Sequence, residues 1–593
     1  MTDTAAKVVE PTPQLTVQEA PSSVRRRRLP HWGDATVAIA YIALAAFVMG
    51  PQWRNLDKAY LVNGGQDQTM WEWFFAFTAH AVSLFQSPLG TDLQNHPLGV
   101  NLMANTAMFG VSVPFAPVTL LFGATVTFVA ALTAGLCGTA YAWYWLFRRE
   151  LVESRFAAAI GGLFCGFAPA MVSHANGHPN FVVLFLLPLI AAQILRLTRS
   201  ARWIRDGVVL GLLLALQIGF GEEPLLIFAI AFGLFALVYY ARDPKAGLDA
   251  WRAVWRPLCL GGAIALSITG FALWWQFFGP QSYRHIDHGQ MGNDLLAITQ
   301  FPTQSFGGDL APGQNVAINI TEQNAYFGWP LLAVVAIAGV WLWRNKIARA
   351  ATITAAVMIV VSLGAELKIG KDATGIELPW EWLGRVPLLE SVLETRFAIA
   401  AIPAIAIVLI LATERALRSN TVSTPWFAGL ALALIPLTPT PLPVIDRSPT
   451  PEFFSAGSWR EFTCGGSVVV VPLPGPVDAR ALRWQQAADF QFPIAGGYFV
   501  GPVGSEREGK YGPEDRSTAL VLAKAQSSGQ VPQLDAATRA AVFDDLRFWQ
   551  ADVVVLPQTN KRDVLKTTVD RLIGFPGRQV DDAWVWDVAD CGH

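Results

Sequence analysis

Long apolar runs separated by short segments with Arg and Lys dominate the chain. A helix needs about 20 apolar residues to cross the hydrocarbon core of a membrane. Runs of this kind predict a mainly α-helical polytopic membrane protein with about eleven transmembrane helices. The predicted spans are residues 35–52, 122–147, 156–174, 180–197, 205–220, 223–240, 257–278, 326–343, 349–365, 396–413 and 424–441.

Basic residues predict the orientation of these helices, because Arg and Lys in short loops prefer the cytoplasmic side. The run Arg25–Arg28 places the N-terminus inside, and alternation then places the other basic loops inside as well. A complete span over 101–123, which contains Pro114 and Pro117, would reverse that pattern. This block is therefore predicted to be a re-entrant or interfacial hairpin.

Three pieces of the chain are predicted to lie outside the cytoplasm. Residues 53–121 and 279–325 form two outer loops of the membrane domain, which covers residues 31–444. Residues 445–593 form a small extracytoplasmic α/β domain. Its predicted strands are Ser467–Leu473, Asp552–Leu556 and Gln579–Val588, and its predicted helices are 515–527, 534–550 and 561–573.

The N-terminal residues 1–30 are rich in Thr, Pro, Gln and Glu and lack a core-forming pattern, so we expect disorder. The apolar run from Ala35 to Gly50 ends without a small-residue cleavage site. It is interpreted as the first membrane anchor and not as a cleavable signal peptide.

Composition agrees with a membrane protein and excludes several soluble classes. Of the 593 residues, 53% are hydrophobic and only 15% are charged. There is no basic domain, so we expect no nucleic-acid partner. The sequence has no Walker A loop, nucleophile elbow or dinucleotide fingerprint in strand–turn–helix context, which disfavours an ATP-driven pump or a nucleotide-sugar enzyme.

The five cysteines divide into two groups. Cys137, Cys165 and Cys259 fall in predicted membrane helices, where a small apolar role is expected. Cys464 and Cys591 both fall in the predicted extracytoplasmic domain, an oxidising setting. We predict a disulfide bond between these two residues.

Asp67 is the main candidate for chemistry. It follows a Gly-Gly turn after the first predicted span and precedes an aromatic, half-apolar helix within Asn63–Phe75. This placement favours a catalytic base at the water–lipid interface, although a simple polar turn fits the local sequence equally well. Asp92 and His96, in the same outer loop, are reserve candidates for acid/base work.

Glu222 and Glu223 are predicted at membrane depth, where an ionised side chain costs about 2.5–3.5 kcal/mol. They could face a cavity, bind an acceptor hydroxyl or assist the base. Equally, they could be acids at a helix N-terminus that the helix dipole favours.

His174 and His178 lie at the outer end of a predicted helix, followed by Pro179. Hydrogen bonding to a substrate phosphate or sugar is one interpretation, and a solvated turn is the other. A metal site is not expected, because two His residues without a nearby acidic pattern do not complete a coordination shell.

Arg396 begins an apolar run on the outer side and has a fork of donors suited to phosphate. Snorkelling of the side chain to the interface would explain it as well. Arg284, His285 and His288 form a second cationic or titratable group in the second outer loop, where pairing with Asp287 could be purely local.

Several short motifs together resemble the bacterial multi-pass proteins of the GT-C glycosyltransferase superfamily, and more closely a largely uncharacterised group within it. The resemblance covers most of the chain. It is carried by the acidic first loop and by the short segments Gln66–Asp67, Asn95–Asn105, Ser173–Asn180, Gly221–Pro224 and Val392–Phe397, with the C-terminal outer domain.

This resemblance implies transfer of a sugar from a polyprenyl-phosphate carrier to a cell-envelope glycan or lipid acceptor at the outer face of a plasma membrane. It also implies that Asp67 is the general base. The charge on the leaving lipid phosphate needs stabilisation, for which Arg396 and His178 are candidates. Gln66 stands where paired acids are common in the family, which weakens a metal assignment. A divalent cation is therefore left open as a cofactor.

Two other classes of function remain open. The first is a transporter or flippase for lipid-linked glycans whose cavity is lined by Glu222, Glu223 and the histidines. The second is a non-catalytic scaffold that binds envelope glycans through its outer domain. Sugar release from a polyprenyl-phosphate donor would separate the enzyme from both.

Overall fold

A computed structural model describes residues 32–286, 288–289 and 291–589. The N-terminal segment predicted to be disordered, including Arg25–Arg28, lies outside the described residues. Asp287 and Cys591 also lie outside them.

Within these ranges, seven helices are long and apolar enough to cross a membrane, by length and composition. Three shorter apolar helices accompany them, Arg155–Phe167, Trp329–Trp341 and Ser423–Leu434. The seven long segments are Trp32–Arg54, Ala124–Glu150, Pro179–Leu197, Trp203–Phe220, Glu222–Tyr240, Pro244–Phe278 and Glu394–Ala416. The mainly helical membrane architecture is thus confirmed, while the number of eleven crossings stays a prediction.

Two helix boundaries near the site follow from local sequence. The predicted span 156–174 is divided into Arg155–Phe167 and Pro169–His174, because the residue before a proline is driven out of the helical region. Ala168 accordingly has ψ 158°. The helices Trp203–Phe220 and Glu222–Tyr240 meet at Gly221. Its φ of 156° lies outside the helical region, so the first helix ends there.

The first outer loop contains the helix Gly65–Ser83, which buries Trp73, Phe74 and Phe75 completely. The block predicted as a hairpin forms two short helices, Phe109–Ser112 and Ala116–Phe122. At 4 and 7 residues, neither is long enough to cross a membrane.

The chain between the later spans contains further helices and strands. The helices are Phe306–Leu310, Lys346–Ser362 and Trp380–Leu383, with the 3-10 helices Leu295–Thr299, Ile320–Glu322, Leu389–Ser391 and Glu394–Arg396. Two strands, Glu366–Ile369 and Asp372–Glu377, form an antiparallel hairpin.

The C-terminal region, residues 452–589, has a mixed four-stranded sheet. Ser467–Val470 pairs parallel with Ala551–Leu556, and the other neighbours are antiparallel. The predicted last strand Gln579–Val588 is wrong in detail: it is a hairpin of Arg578–Val580 and Ala583–Asp587, because Asp581 turns the chain with φ 50°. The helices of this region are Glu452–Ser455, Arg480–Ala487, Ser517–Ser528, Ala536–Phe548 and Arg562–Ile573.

The described cysteines differ in whether they are disulfide-bonded. Cys464 is disulfide-bonded. Its predicted partner, Cys591, lies outside the described residues, so the pairing stays a prediction. Cys137, Cys165 and Cys259 are free.

The segment that leads into the C-terminal region, residues 444–447, is attached to the first outer loop by a buried ion pair. Arg447 donates from Nη2 to Oε1 of Glu72 at 2.6 Å and from Nη1 to Oε2 at 2.8 Å. Both side chains are only 4% exposed. Strand Ala59–Leu61 pairs with Val444–Asp446 beside them, so the loop that bears Asp67 and the start of the C-terminal region form one structural unit.

Replacement of Arg447 should destabilise this unit, because Glu72 would remain buried without its counter-charge. We expect Arg447→Ala to cost about 3–5 kcal/mol, seen as a lower apparent melting temperature of the purified protein in detergent. Arg418→Ala is the matched control, since Arg418 is 67% exposed and pairs with Glu414 on the surface. That pair should contribute about 0–1 kcal/mol. Equal shifts in the two variants would contradict this role of the buried pair.

Candidate active site

Asp67 lies in the first turn of helix Gly65–Ser83, where the helix dipole favours a carboxylate. Gly64 precedes this helix and packs against the turn after His174. A Cβ at Gly64 would lie 1.9 Å from the carbonyl oxygen of Asn176, so only glycine permits this approach. The Gly-Gly turn therefore brings Asp67 against the turn that bears the histidine pair, His174 and His178.

His174 ends the helix Pro169–His174, and the chain makes one further turn in which the His178 N–H donates to the His174 carbonyl at 2.8 Å. The helix stops, as the Asn-Gly and Pro residues predict, yet this bond keeps both rings on one side. Their Nδ1 atoms are 2.9 Å apart. Nε2 of His178 lies 3.5 Å from Oδ2 of Asp67.

Arg396 ties two carboxylates to this turn. It donates from Nη1 to Glu223 at 2.7 Å and from Nη2 to Glu322 at 2.6 Å. Oε1 of Glu322 also lies 3.5 Å from Nδ1 of His178. We call the resulting group the polar cluster; its members are Asp67, His174, His178, Glu223, Glu322 and Arg396.

Electrostatics keep Glu322 ionised although it is buried. Burial alone would raise the pKa of this carboxyl, but the Arg396 guanidinium outweighs burial and holds the pKa well below its usual range. The carboxylate therefore stays negative across the physiological pH range and holds Arg396 in place.

The proton positions in the histidine pair follow from Asn324. Its Nδ2 donates to Oε2 of Glu322 at 2.7 Å, so its Oδ1 faces Nε2 of His174 at 2.8 Å and accepts a proton from it. Nδ1 of His174 then accepts from Nδ1 of His178. With His178 neutral, its Nε2 presents a lone pair, so Nε2 and Oδ2 of Asp67, which lie 3.5 Å apart, are two neighbouring acceptors to either of which a substrate hydroxyl could donate.

Tyr498 of the C-terminal region holds the other oxygen of Asp67. Its hydroxyl donates to Oδ1 at 2.6 Å. Burial raises the pKa of this phenol, and the adjacent Asp67 carboxylate raises it further, so the hydroxyl keeps its proton and remains a donor.

The structure brings together five of the predicted site residues, namely Asp67, His174, His178, Glu223 and Arg396. Four others have their contacts elsewhere or beside the cluster. Nε2 of His96 lies 3.2 Å from Gln550, and Arg284 pairs with Glu506 at 3.1 Å. Nε2 of His288 lies 3.4 Å from the Ser391 carbonyl. Oε1 of Glu222 is buried without a hydrogen-bond partner among the described atoms.

Sequence reasoning missed Glu322, Asn324 and Tyr498. Glu322 ends a single-turn 3-10 helix in the second outer loop, and Tyr498 follows Gly496-Gly497 in the C-terminal region. Neither position has a periodic or motif signal of its own. A Gly-Gly pair before an aromatic residue, as in the Asp67 stretch, is the one local sign of a close backbone approach at Tyr498.

A cation could be held by His174, His178 and Glu322, whose ligand atoms all lie within 4.8 Å of one another. The acid that the sequence argument lacked beside the histidines is therefore present. However, Arg396 donates to both oxygens of Glu322, so an ion would have to compete with the guanidinium. The absence of a metal stays a prediction, now because the carboxylate is already neutralised.

Comparison with known proteins gives no match to a family model and none to a curated protein sequence. Solved structures do match. The apo oligosaccharyltransferase of Archaeoglobus fulgidus has a TM-score of 0.53 and 12% identity, over 90% of this chain and 71% of that one. Its complex with zinc and sulfate has a TM-score of 0.51 and 10% identity, over 88% and 68%.

The arabinofuranosyltransferase AftD from Mycobacteria has a TM-score of 0.55 and 15% identity, over 95% of this chain. The match covers 40% of the AftD chain, so this protein spans less than half the length of AftD. At these identities the likeness establishes the fold. The chain shares its fold with these two transferases, as the resemblance predicts, while the GT-C superfamily and its bacterial subgroup stay predictions.

Purified protein should contain well below one equivalent of transition metal per chain, because Arg396 already neutralises Glu322. Elemental analysis by plasma mass spectrometry after dialysis, without chelator, would measure this. One tightly bound equivalent in the wild type that is lost in Glu322→Gln would contradict the prediction and assign the histidines and Glu322 as ligands.

Proposed function

We propose that the protein is a membrane glycosyltransferase that moves a sugar from a polyprenyl-phosphate donor to a hydroxyl of a cell-envelope glycan or lipid. In this proposal the N-terminus is cytoplasmic, the reaction takes place at the outer face of a bacterial plasma membrane, and Asp67 is the general base. The observation that carries the proposal is the pair of neighbouring acceptor atoms, Oδ2 of Asp67 and Nε2 of His178, which Glu322 links to Arg396 in a chain with the fold of these transferases.

The base is needed because an alcohol is a poor nucleophile until its proton is removed. General base catalysis contributes about 10²- to 10⁴-fold in rate when the base is within hydrogen-bond reach. Asp67 is more accessible than His174: its side chain is 13% exposed, whereas that of His174 is 0% exposed. An acceptor hydroxyl that donates to Oδ2 of Asp67 would lie beside the imidazole of His178.

Arg396 supports binding of the donor phosphate. Its contacts with Glu223 and Glu322 use the N–H groups of Nε, Nη1 and Nη2 once each. A guanidinium has five N–H donors, so two remain for a phosphate oxygen. Negative charge that develops on the leaving phosphate would be stabilised by this cation, whereas neutral His178, with a lone pair at Nε2, offers no free donor for it.

An apolar cavity next to Arg396 supports a lipid-linked donor. It lies between membrane helices and is lined by Trp143, Phe181, Phe228, Ile399 and other apolar side chains, with Arg396 among the lining residues. The guanidinium carbon stands 4.5 Å above the ring of Phe181. An apolar space with a cation at its edge matches a molecule that joins an isoprenoid chain to a phosphate.

The proposal predicts that Asp67→Asn abolishes transfer, because the amide cannot accept the hydroxyl proton as a base. Release of labelled sugar from a synthetic polyprenyl-phosphate donor to acceptor, with purified protein in liposomes, would measure it. Asp92→Asn is the matched control, since this carboxylate lies in the same loop but is 70% exposed. Asp92→Asn should remain active.

Substantial transfer by purified Asp67→Asn would rule out the general-base assignment. Loss of transfer in both variants would point to a defect of the loop instead. Absence of transfer by the wild type with every polyprenyl-phosphate sugar tested, together with lipid-linked glycan movement across the liposome membrane, would favour a transporter.

The product should have inverted anomeric configuration relative to the donor. Retention needs a second carboxylate that attacks the anomeric carbon. Among the carboxylates of the polar cluster, Glu223 and Glu322 are both paired with Arg396, whereas Asp67 makes no ion pair with this guanidinium. Proton NMR of the product formed in a single turnover would read the configuration, and a retained configuration would contradict the single-displacement mechanism.

A further inference from the structure

A strap from the C-terminal region, residues 494–512, extends over the outer surface of the membrane domain. At its start it pairs with the first outer loop. The Ile494 N–H donates to the Leu93 carbonyl at 3.0 Å, and the Asn95 N–H donates to the Gly496 carbonyl at 2.7 Å. The strap then continues as the antiparallel hairpin Val500–Val503 and Glu508–Tyr511.

Gly497 allows the strap to approach this loop closely. Its φ is +148°, and a Cβ there would lie 2.2 Å from Oε1 of Gln94. The same Gln94 oxygen accepts from the Tyr498 N–H at 3.1 Å. The backbone of Tyr498 is therefore fixed by a buried side chain of the loop that also bears Asp67.

The residues that follow Tyr498 are fixed from both sides of the site. Asn105 of the first loop exchanges two hydrogen bonds with the backbone of Val500, of 2.6 and 2.9 Å. At the other end, Nη2 of Arg507 donates to the Ser282 hydroxyl at 2.9 Å, and the Gly509 N–H donates to the His285 carbonyl at 2.7 Å. The strap thus joins the two outer loops, and Tyr498 is held between them.

We propose that Tyr498 is a positioning residue for Asp67, and that the C-terminal region is therefore part of the catalytic unit and not only a binding module. This inference rests on the proposed role of Asp67 as a base. A carboxylate on a single-bonded side chain can rotate, and the Tyr498 hydroxyl fixes its plane through Oδ1. Oδ2 is thereby turned towards His178 and the place of the acceptor hydroxyl.

A purely structural role for Tyr498 makes a different prediction from a positioning role. If the hydroxyl only stabilised the docked strap, its loss would affect stability or substrate binding. If it positions the base, its loss would lower the rate of the chemical step while substrates bind normally. The ratio of effects on kcat and KM separates the two roles.

Tyr498→Phe keeps the ring and removes the hydroxyl, and Tyr41→Phe is its matched control. The Tyr41 hydroxyl also makes a 2.6 Å hydrogen bond, to the Ala159 carbonyl, within the membrane helices. Both variants would be assayed as full-length protein in liposomes with a labelled polyprenyl-phosphate sugar. We expect kcat of Tyr498→Phe to fall about tenfold or more, with KM of donor and acceptor changed by less than about twofold. Tyr41→Phe should keep the kcat of the wild type.

An unchanged kcat in Tyr498→Phe, or a loss expressed only in KM, would overturn the positioning role. A readout that does not need activity distinguishes this from a failure of the proposed function. In a double-mutant cycle on the apparent melting temperature, Tyr498→Phe should shift the midpoint in the wild-type background and much less in an Asp67→Ala background. Equal shifts in both backgrounds would show that the two side chains are uncoupled and would overturn the inference even if the wild type proves inactive.

Discussion

The buried charge of Glu322 is the constraint around which the candidate site is arranged. An ionised carboxylate with 4% of its side chain exposed persists only if positive and hydrogen-bonding groups surround it. Arg396 comes from the start of the helix Phe397–Ala416, and the histidines come from the turn after Pro169–His174. The contacts of this one carboxylate therefore fix the relative positions of three segments that are distant in the chain.

Asp67 is connected to this arrangement indirectly, through His178. His178 contacts both Glu322 and Asp67, and its ring orientation is set by His174 and Asn324. The base therefore has a fixed partner on one side and Tyr498 on the other. The proposed chemistry needs that rigidity, because proton removal from a hydroxyl is effective only within a narrow range of distance and angle.

Structural features that depend on neighbouring residues in the chain could be predicted from the sequence. Apolar runs predicted the helices because a membrane span has to be apolar over about 20 residues, and the break at Pro169 could have been read from the rule for residues before proline. Asp67 could be singled out because a Gly-Gly turn and an aromatic helix adjoin it. Glu322 and Tyr498 could not, because their function depends on contacts with residues far away in the chain. An acid beside the histidines is provided by Glu322, from the other outer loop.

The account rests on the claim that a lipid-linked sugar binds between Asp67 and Arg396. The most direct measurement is a cryo-EM structure of the protein in nanodiscs with a non-transferable polyprenyl-phosphate sugar. The account predicts the phosphate at the guanidinium of Arg396, the isoprenoid chain in the cavity beside Phe181 and Phe228, and the anomeric carbon on the side of Asp67. A donor bound elsewhere, with its sugar remote from Asp67, would contradict it.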